Sequence, residues 1–272
     1  STHYGQIDVS NGSGTLTFGV DSSSALSLGT YSGIITGVSS SQISNSSATG
    51  VLGAYSWELI ENSSQYWNLA VARNVSVGTT KNSSDLGSSV KPDISGGTLL
   101  IDQSATISSN LTVNAASTNT IDANGKSAVI SGVISNQGSS AGTITIADSS
   151  GGGAITLTGT NTYTGATTVG SGGTLKLSGS GSIASSSAVV LQGTLDISGI
   201  NSSASIQTVS GSGTLAFGSK SLTLTAASGT FSGVITGAGS VAVSGGNLTL
   251  SGTNTFSGGV TVSAGATITA AS

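Results

Sequence analysis

Short runs in which apolar and polar residues alternate recur along the chain, and a glycine precedes most of them. An alternation with a period of two predicts a strand with one buried face. The glycine before each strand is expected to provide a corner of positive φ. Each unit of twenty residues therefore predicts two or three short strands joined by tight corners. The regular series reads Gly153-Ala154-Ile155-Thr156-Leu157, Gly173-Thr174-Leu175-Lys176-Leu177, Gly193-Thr194-Leu195-Asp196-Ile197 and Gly213-Thr214-Leu215-Ala216-Phe217.

One such unit cannot bury its own apolar face, so the pattern predicts a solenoid whose units stack in parallel. About 220 residues follow the pattern, which gives roughly eleven rungs. Leu175, Leu195 and Leu215 are predicted to form one inward ladder, and Leu177, Ile197 and Phe217 a second. Copies outside the twenty-residue phase begin at Gly14, Gly97, Gly142 and Gly246.

Longer internal repeats support the same architecture. Residues 154–177 align without a gap on residues 247–270, and both copies contain Gly-Thr-Asn-Thr followed by an aromatic residue. Residues 12–37 match residues 211–237 with one single-residue adjustment. The start of the chain is therefore predicted to form a rung of its own.

These repeats resemble a known family. The segments LTGTNTYTGATTVGSGGTLKL (157–177) and LSGTNTFSGGVTVSAGATITA (250–270) resemble the autotransporter-associated β-strand repeats of bacterial passenger domains. The resemblance extends over 127–272, 7–37 and 94–126. It implies a right-handed parallel β-helix and a secreted protein, extracellular or on the outer cell surface. The family repeat has no catalytic residues to carry over.

Residues 38–93 depart from the repeat. Two strand-like runs flank Asn62-Ser63-Ser64 and predict a β-hairpin. The chain is accordingly divided into an N-terminal rung segment (1–37), an inserted hairpin or cap region (38–93) and β-helix repeats (94–272).

The hairpin region also holds the candidate interface. Tryptophan, tyrosine and arginine are typical anchors of protein contacts. An inserted hairpin that buttresses the solenoid and an aromatic platform for sugars are the alternatives. The candidate interface residues are Tyr55, Trp57, Tyr66, Trp67 and Arg73.

Composition excludes several classes. Only 6% of the 272 residues are charged, the net charge is −4 and the mean hydropathy is +0.26. Disordered chains combine low hydropathy with high net charge, so a folded protein is expected. Scattered lysines cannot form the basic patch that nucleic acid requires. No apolar run is long enough for a transmembrane helix.

The residues that usually carry chemistry are scarce. The chain has no cysteine, and its one histidine is His3, so neither a catalytic triad nor a zinc site is predicted. Asp102 and Asp122, twenty residues apart, could stack on neighbouring rungs, although solvated corner residues are the favoured interpretation. We expect no enzyme activity, no metal and no cofactor.

Two functions remain open. The first is a structural subunit of an extracellular filament or sheath that assembles head to tail by β-strand or rung complementation. The final residues, VTVSAGATITAAS, lack the charges and prolines that protect open sheet edges. The second is a passenger-type adhesin fragment, with cell-surface glycans or a host receptor as partners. A start at Ser1 without methionine is expected of a chain cut from a longer product.

Overall fold

The computed structural model describes residues 7–8, 16–20, 24, 27, 29–43, 49–52, 55–63, 66–73, 75–76, 80–82, 92–115 and 119–271. The chain divides into two compact units. The first unit comprises Ser1–Asn74 and Asp85–Asp93, and the second comprises Val75–Ser84 and Ile94–Ser272.

The first unit contains a mixed five-stranded sheet in the order β1-β2-β5-β4-β3. Strands β4 and β5 pair antiparallel, so the predicted hairpin is confirmed. A 3-10 turn, Ser40–Gln42, follows β2. The strands are β1 (Ile7–Asp8), β2 (Gly29–Thr36), β3 (Thr49–Leu52), β4 (Tyr55–Ser63) and β5 (Tyr66–Arg73).

The strand Gly29–Thr36 lies in this mixed sheet, which differs from the solenoid rung that the sequence predicts for residues 12–37. One edge of β2 pairs antiparallel with β5, and the other pairs parallel with β1. The hairpin competes for this strand because it supplies large apolar partners. Ile34 and Ile35 are buried in one cluster with Trp57 and Trp67. This strand and its similar counterpart Val234–Thr236 therefore have different neighbours.

The second unit is a parallel β-solenoid. Its strands lie on three sides, and each pairs in parallel with a strand one turn away. Its strands are β6 (Val75–Ser76), β7 (Thr80–Asn82), β8 (Asp93–Ser95), β9 (Thr98–Leu100), β10 (Thr106–Ile107), β11 (Leu111–Val113), β12 (Thr120–Asp122), β13 (Ser127–Ile130), β14 (Ile134–Asn136), β15 (Ile144–Ala147), β16 (Ala154–Leu157), β17 (Thr167–Val169), β18 (Thr174–Gly179), β19 (Val189–Leu191), β20 (Thr194–Ile200), β21 (Ala204–Ile206), β22 (Val209–Gly211), β23 (Thr214–Ala216), β24 (Leu222–Leu224), β25 (Thr230–Phe231), β26 (Val234–Thr236), β27 (Val241–Val243), β28 (Asn247–Leu250), β29 (Val260–Val262) and β30 (Thr267–Ala270).

Four sheets make up the three sides. The long sheet runs β7-β9-β12-β15-β17-β19-β22-β25-β28-β30, and the middle sheet runs β10-β13-β16-β18-β20-β23-β26. The third side begins as the early sheet (β6-β8-β11-β14) and ends as the late sheet (β21-β24-β27-β29). The fold class predicted from the sequence, an all-β parallel solenoid with an inserted hairpin, is confirmed.

The described part of the solenoid makes about nine turns, fewer than the eleven expected. Part of the N-terminal sequence belongs to the other sheet, and the early turns are long. Ala128 pairs with Ile155, twenty-seven residues later, whereas Ile155, Leu175 and Leu195 follow one another at twenty. Corner loops absorb the extra residues without changing the register of the core.

The predicted inward ladders are buried. Leu175, Leu195 and Leu215 are in register and 0% exposed. Leu177, Ile197 and Phe217 fill the next inward positions, although the register shifts after Lys176. Burying a side chain of this size contributes roughly 1.5–3 kcal/mol. The stacked ladders therefore supply a continuous apolar core.

Glycine is required before the middle-sheet strands for a different reason from the one predicted. Gly193 and Gly213 are not among the glycines with positive φ. A Cβ on Gly213 would instead overlap the carbonyl oxygen of Gly193, and one on Gly193 would overlap that of Gly173. Gly233 and Gly252 continue the column. A close approach of backbones on successive turns, and not a left-handed corner, requires glycine here.

Candidate functional site

Two of the five candidate interface residues are core residues of the first unit. Trp67 is 1% exposed, and its indole Nε1 donates to the Val38 carbonyl at 3.0 Å. Trp57 is 8% exposed and packs edge-on against Phe18, with ring centroids 5.6 Å apart. Both rings therefore stabilise the mixed sheet.

The other three candidates lie near the ends of the hairpin strands. Tyr66 is 53% exposed. Tyr55 is half-buried and packs against the apolar cluster. Arg73 pairs with Tyr55 through the backbone, and its side chain lies outside the described portion of the structure. A contact role for this region stays a prediction, and Tyr66 is its exposed aromatic residue among those described.

The stacking considered for Asp102 and Asp122 does not occur. The register places Asp122 opposite Leu100. The Asp122 Oδ1 atom accepts hydrogen bonds from the backbone amides of Asn124 and Ser149, both at 2.9 Å. This carboxylate therefore links the corners of two successive turns.

Asp148 has the same role on the following turn. Its Oδ1 accepts from the Gly125 amide and its Oδ2 from the Gly153 amide, both at 2.7 Å. No group of three or more His, Cys, Asp or Glu side chains that could hold a metal occurs among the described residues. His3 lies outside them.

The asparagine of the Gly-Thr-Asn-Thr motif connects turns of the solenoid. Asn161 is 2% exposed, and its Oδ1 accepts from the Ile134 amide on the preceding turn at 2.8 Å. Its Nδ2 donates to the carbonyls of Gly159 and Ser182 at 3.1 and 3.0 Å. One side chain thus joins three consecutive turns.

The second copy of the motif repeats this geometry. Asn254 Oδ1 accepts from the Ile235 amide at 2.9 Å, and its Nδ2 donates to the Gly252 carbonyl at 2.9 Å. The recurring Gly-Thr-Asn-Thr sequence is therefore explained by a backbone connection between turns.

A chain of buried hydroxyl groups follows the first motif. The Tyr163 hydroxyl lies 2.7 Å from Thr167 Oγ1, which lies 2.9 Å from Ser186 Oγ on the next turn. Their side chains are at most 1% exposed. Burial raises the pKa of the Tyr163 phenol far above its usual value, against a smaller opposing effect of the hydrogen bond to Thr167. The phenol therefore stays protonated and can donate.

Neither the asparagine connection nor the hydroxyl chain was predicted from the sequence. The sequence does contain a signal for the hydroxyl chain, because Tyr163 and Thr167 align with Phe256 and Val260. Both hydroxyl groups are lost together in the second copy, as expected of two side chains in contact.

The two aligned repeat copies occupy different sides of the solenoid. In the first copy, β16 lies in the middle sheet and β17 in the long sheet. The equivalent strands of the second copy, β28 and β29, lie in the long and late sheets. The repeat is therefore a unit of strand, corner and strand that occurs on two different pairs of sides.

Outward positions of the long sheet form a column rich in threonine. The register aligns one such residue per turn, and each of them except Thr269 lies next to a buried inward residue. Threonine is favoured on a half-buried strand surface because it is β-branched. The column consists of Thr98, Thr120, Thr145, Thr168, Val190, Ser210, Thr230, Thr249 and Thr269.

A small cavity of about 90 Å³ opens where the third side changes from the early to the late sheet. Leu177, Ile183 and Ile200 form its floor, with serines 202, 203 and 205 at its rim. It has room for a few water molecules and contains no charged lining residue.

Comparison with known families agrees with this geometry. Residues 150–182 and 243–269 match the passenger-associated-transport-repeat, which confirms the resemblance to autotransporter passenger repeats. The match covers both Gly-Thr-Asn-Thr motifs and the hydroxyls of Tyr163 and Thr167. No curated protein and no solved structure matches the chain. The repeat indicates a surface or secreted protein. Among the described residues, no helix has the length and apolar character to cross a membrane.

Proposed function

We propose that the chain is a non-enzymatic, passenger-type surface protein in which the solenoid is a scaffold and the first unit makes attachment contacts. The observation that carries the proposal is the passenger-associated repeat on a solenoid with an unbroken apolar core. The carboxylates of Asp122 and Asp148 support the non-enzymatic role, because corner amides occupy them. Cell-surface glycans and protein receptors are the two partner classes expected.

An attachment assay tests this function. The full chain is displayed on a non-adherent bacterium, and adhesion to cultured cells is counted. Chain-bearing bacteria should adhere better than bare ones, and Tyr66→Ala should lower adhesion because it removes an exposed aromatic anchor. Thr269→Ala, on the outward column of the solenoid, is the matched control and should adhere like the parent.

Equal adhesion of bare and chain-bearing bacteria contradicts the attachment role. Treating the target cells with glycosidases or with protease separates the two partner classes. Adhesion that is lost after glycosidase treatment but kept after protease treatment identifies a glycan partner.

A second proposed role, assembly with further copies, is favoured by one observation at the last described turn. Val260 and Val262 are 48% and 42% exposed, whereas their register partners Val241 and Val243 are 1% and 0% exposed. A parallel rung stacked on β29, from a second copy or from a following turn of a longer chain, would cover these valines. Between copies such a contact is heterologous, and it propagates into a filament unless it closes into a ring.

Replacing the two exposed valines with lysine tests the proposed assembly. The parent should form rods that lengthen with concentration, by negative-stain microscopy and sedimentation. V260K/V262K should remain monomeric, because a stacked rung would bury two ammonium groups. T223K/T261K, which alters outward positions of the late sheet, is the control and should assemble. A parent that stays monomeric at high concentration contradicts the assembly role.

A further inference from the structure

The two repeat copies present similar surfaces to a neighbouring turn. They align without a gap over 154–177 and 247–270, and their asparagines make the same connection to the preceding turn. Glycine-rich strands specify their register weakly. Misassembly between similar units is a characteristic failure of repeat proteins. A strand that belongs on one copy therefore has a second place to stack.

Most inward positions cannot distinguish the copies. Where the first copy has an inward aliphatic residue, the second has one too. Among these inward positions, polarity changes at two aligned pairs only, Tyr163 with Phe256 and Thr167 with Val260. The unchanged pairs are Ile155 with Leu248, Leu157 with Leu250, Val169 with Val262, Leu175 with Ile268 and Leu177 with Ala270.

Hydrogen-bond donation along the hydroxyl chain runs in one direction, from Tyr163 towards Ser186. Ser186 Oγ donates to the backbone carbonyl of Gly165 or Ala188, at 2.9 and 3.0 Å. Thr167 can then donate to Ser186, and Tyr163 to Thr167. Every hydroxyl hydrogen has an acceptor only when the next turn presents an oxygen at Ser186.

We propose that Tyr163, Thr167 and Ser186 direct the turn that contains Ser186 to stack on the first repeat copy and not on the second. The first copy presents a hydroxyl group to the next turn, and the second copy presents the methyl groups of Val260. An apolar residue stacked on the first copy would leave the Thr167 hydroxyl buried without an acceptor. These three hydroxyl groups select the neighbouring turn, in addition to the packing that every turn shares.

Cross-links at outward positions report which strands have stacked. The chain contains no cysteine, so introduced pairs are unambiguous. T168C/V190C joins register partners and reports native stacking of β17 on β19. V190C/T261C reports misstacking, because Thr261 is the second copy's equivalent of Thr168 and lies in another sheet. The full chain is refolded from denaturant and treated with a short bismaleimide.

The variant Y163F/T167V/S186A separates selectivity from stability. It removes all three hydroxyl groups and leaves no buried donor without an acceptor. The two carbonyls that accept from Ser186 keep other partners: Ala188 accepts from the Thr167 amide at 2.8 Å and Gly165 from the Ser187 amide at 3.3 Å. The triple variant should therefore form the T168C/V190C cross-link as the parent does.

The misstacked V190C/T261C product should rise roughly tenfold in the triple variant, the factor expected when an unmade buried hydrogen bond no longer penalises the wrong neighbour. Ile146→Val, which trims the core without changing its polarity, is the control and should leave that product at the parent level. An unchanged misstacked fraction in the triple variant overturns the proposal. Loss of the native cross-link also overturns it, since the network would then serve stability alone. An equal rise in Ile146→Val has the same consequence.

Discussion

At the residue scale, glycine has two separate uses in this solenoid. Gly172 and Gly179 adopt positive φ, which side chains rarely tolerate. Gly193 and Gly213 have ordinary φ but lie against the carbonyl of the preceding turn. The sequence shows that glycine is needed at these places, but it cannot show which of the two reasons applies, because only the stacked neighbour reveals the close approach.

A single methyl group tests the second use. Gly213→Ala should lower the free energy of unfolding by about 1–3 kcal/mol or more, because the added Cβ overlaps the Gly193 carbonyl. Gly259→Ala is the matched control, since its Cβ would meet nothing within 4 Å and its φ is not positive. Denaturant melts of both variants give the comparison. Equal stability of the two variants would show that the turns do not approach at Gly213.

At the element scale, the glycine-led runs spaced by twenty residues lie on one side of the solenoid. The copies led by Gly173, Gly193 and Gly213 place β18, β20 and β23 in the middle sheet. Those led by Gly142 and Gly246 place β15 and β28 in the long sheet. Strand existence, inward residues and parallel pairing were thus predictable from a local pattern.

The side taken by each repeat copy was not predictable in the same way. It depends on the total length of the loops between the copies, and early turns contain up to twenty-seven residues. Likewise, the sequence of Gly29–Thr36 does not indicate which strand pairs with it antiparallel. Its partner strand contributes Trp67, which is distant in sequence, lies opposite Ile35 and donates from its indole to the Val38 carbonyl. Long-range competition, which a local pattern does not contain, decides both outcomes.

The strand register makes a prediction about the core. Leu195→Asp should cost several kcal/mol, to order of magnitude, because Leu195 is 0% exposed between Leu175 and Leu215. Thr156→Asp is the control, since Thr156 is an outward position opposite Lys176. Thermal melts should separate the two variants clearly. A Leu195→Asp protein that melts with the parent would refute the inward assignment.

At the scale of the whole molecule, stability of the second unit is a sum of interfaces between successive turns. Each interface contains aliphatic ladders, and Asn161, Asp122 and Asp148 add polar connections at the corners. A passenger-type scaffold gains length by adding turns of the same kind. Its central requirement is that residues distant in sequence lie at regular intervals along one axis.

Distances between spin labels on the long sheet measure this requirement directly. Cysteines introduced in pairs at Thr145 with Val190, Ser210, Thr230 or Thr249 lie two to five turns apart in the outward column. The solenoid predicts label distances that increase linearly by about 4.8 Å per turn. Distances that fail to increase with the number of turns would contradict the parallel solenoid on which the proposed function rests.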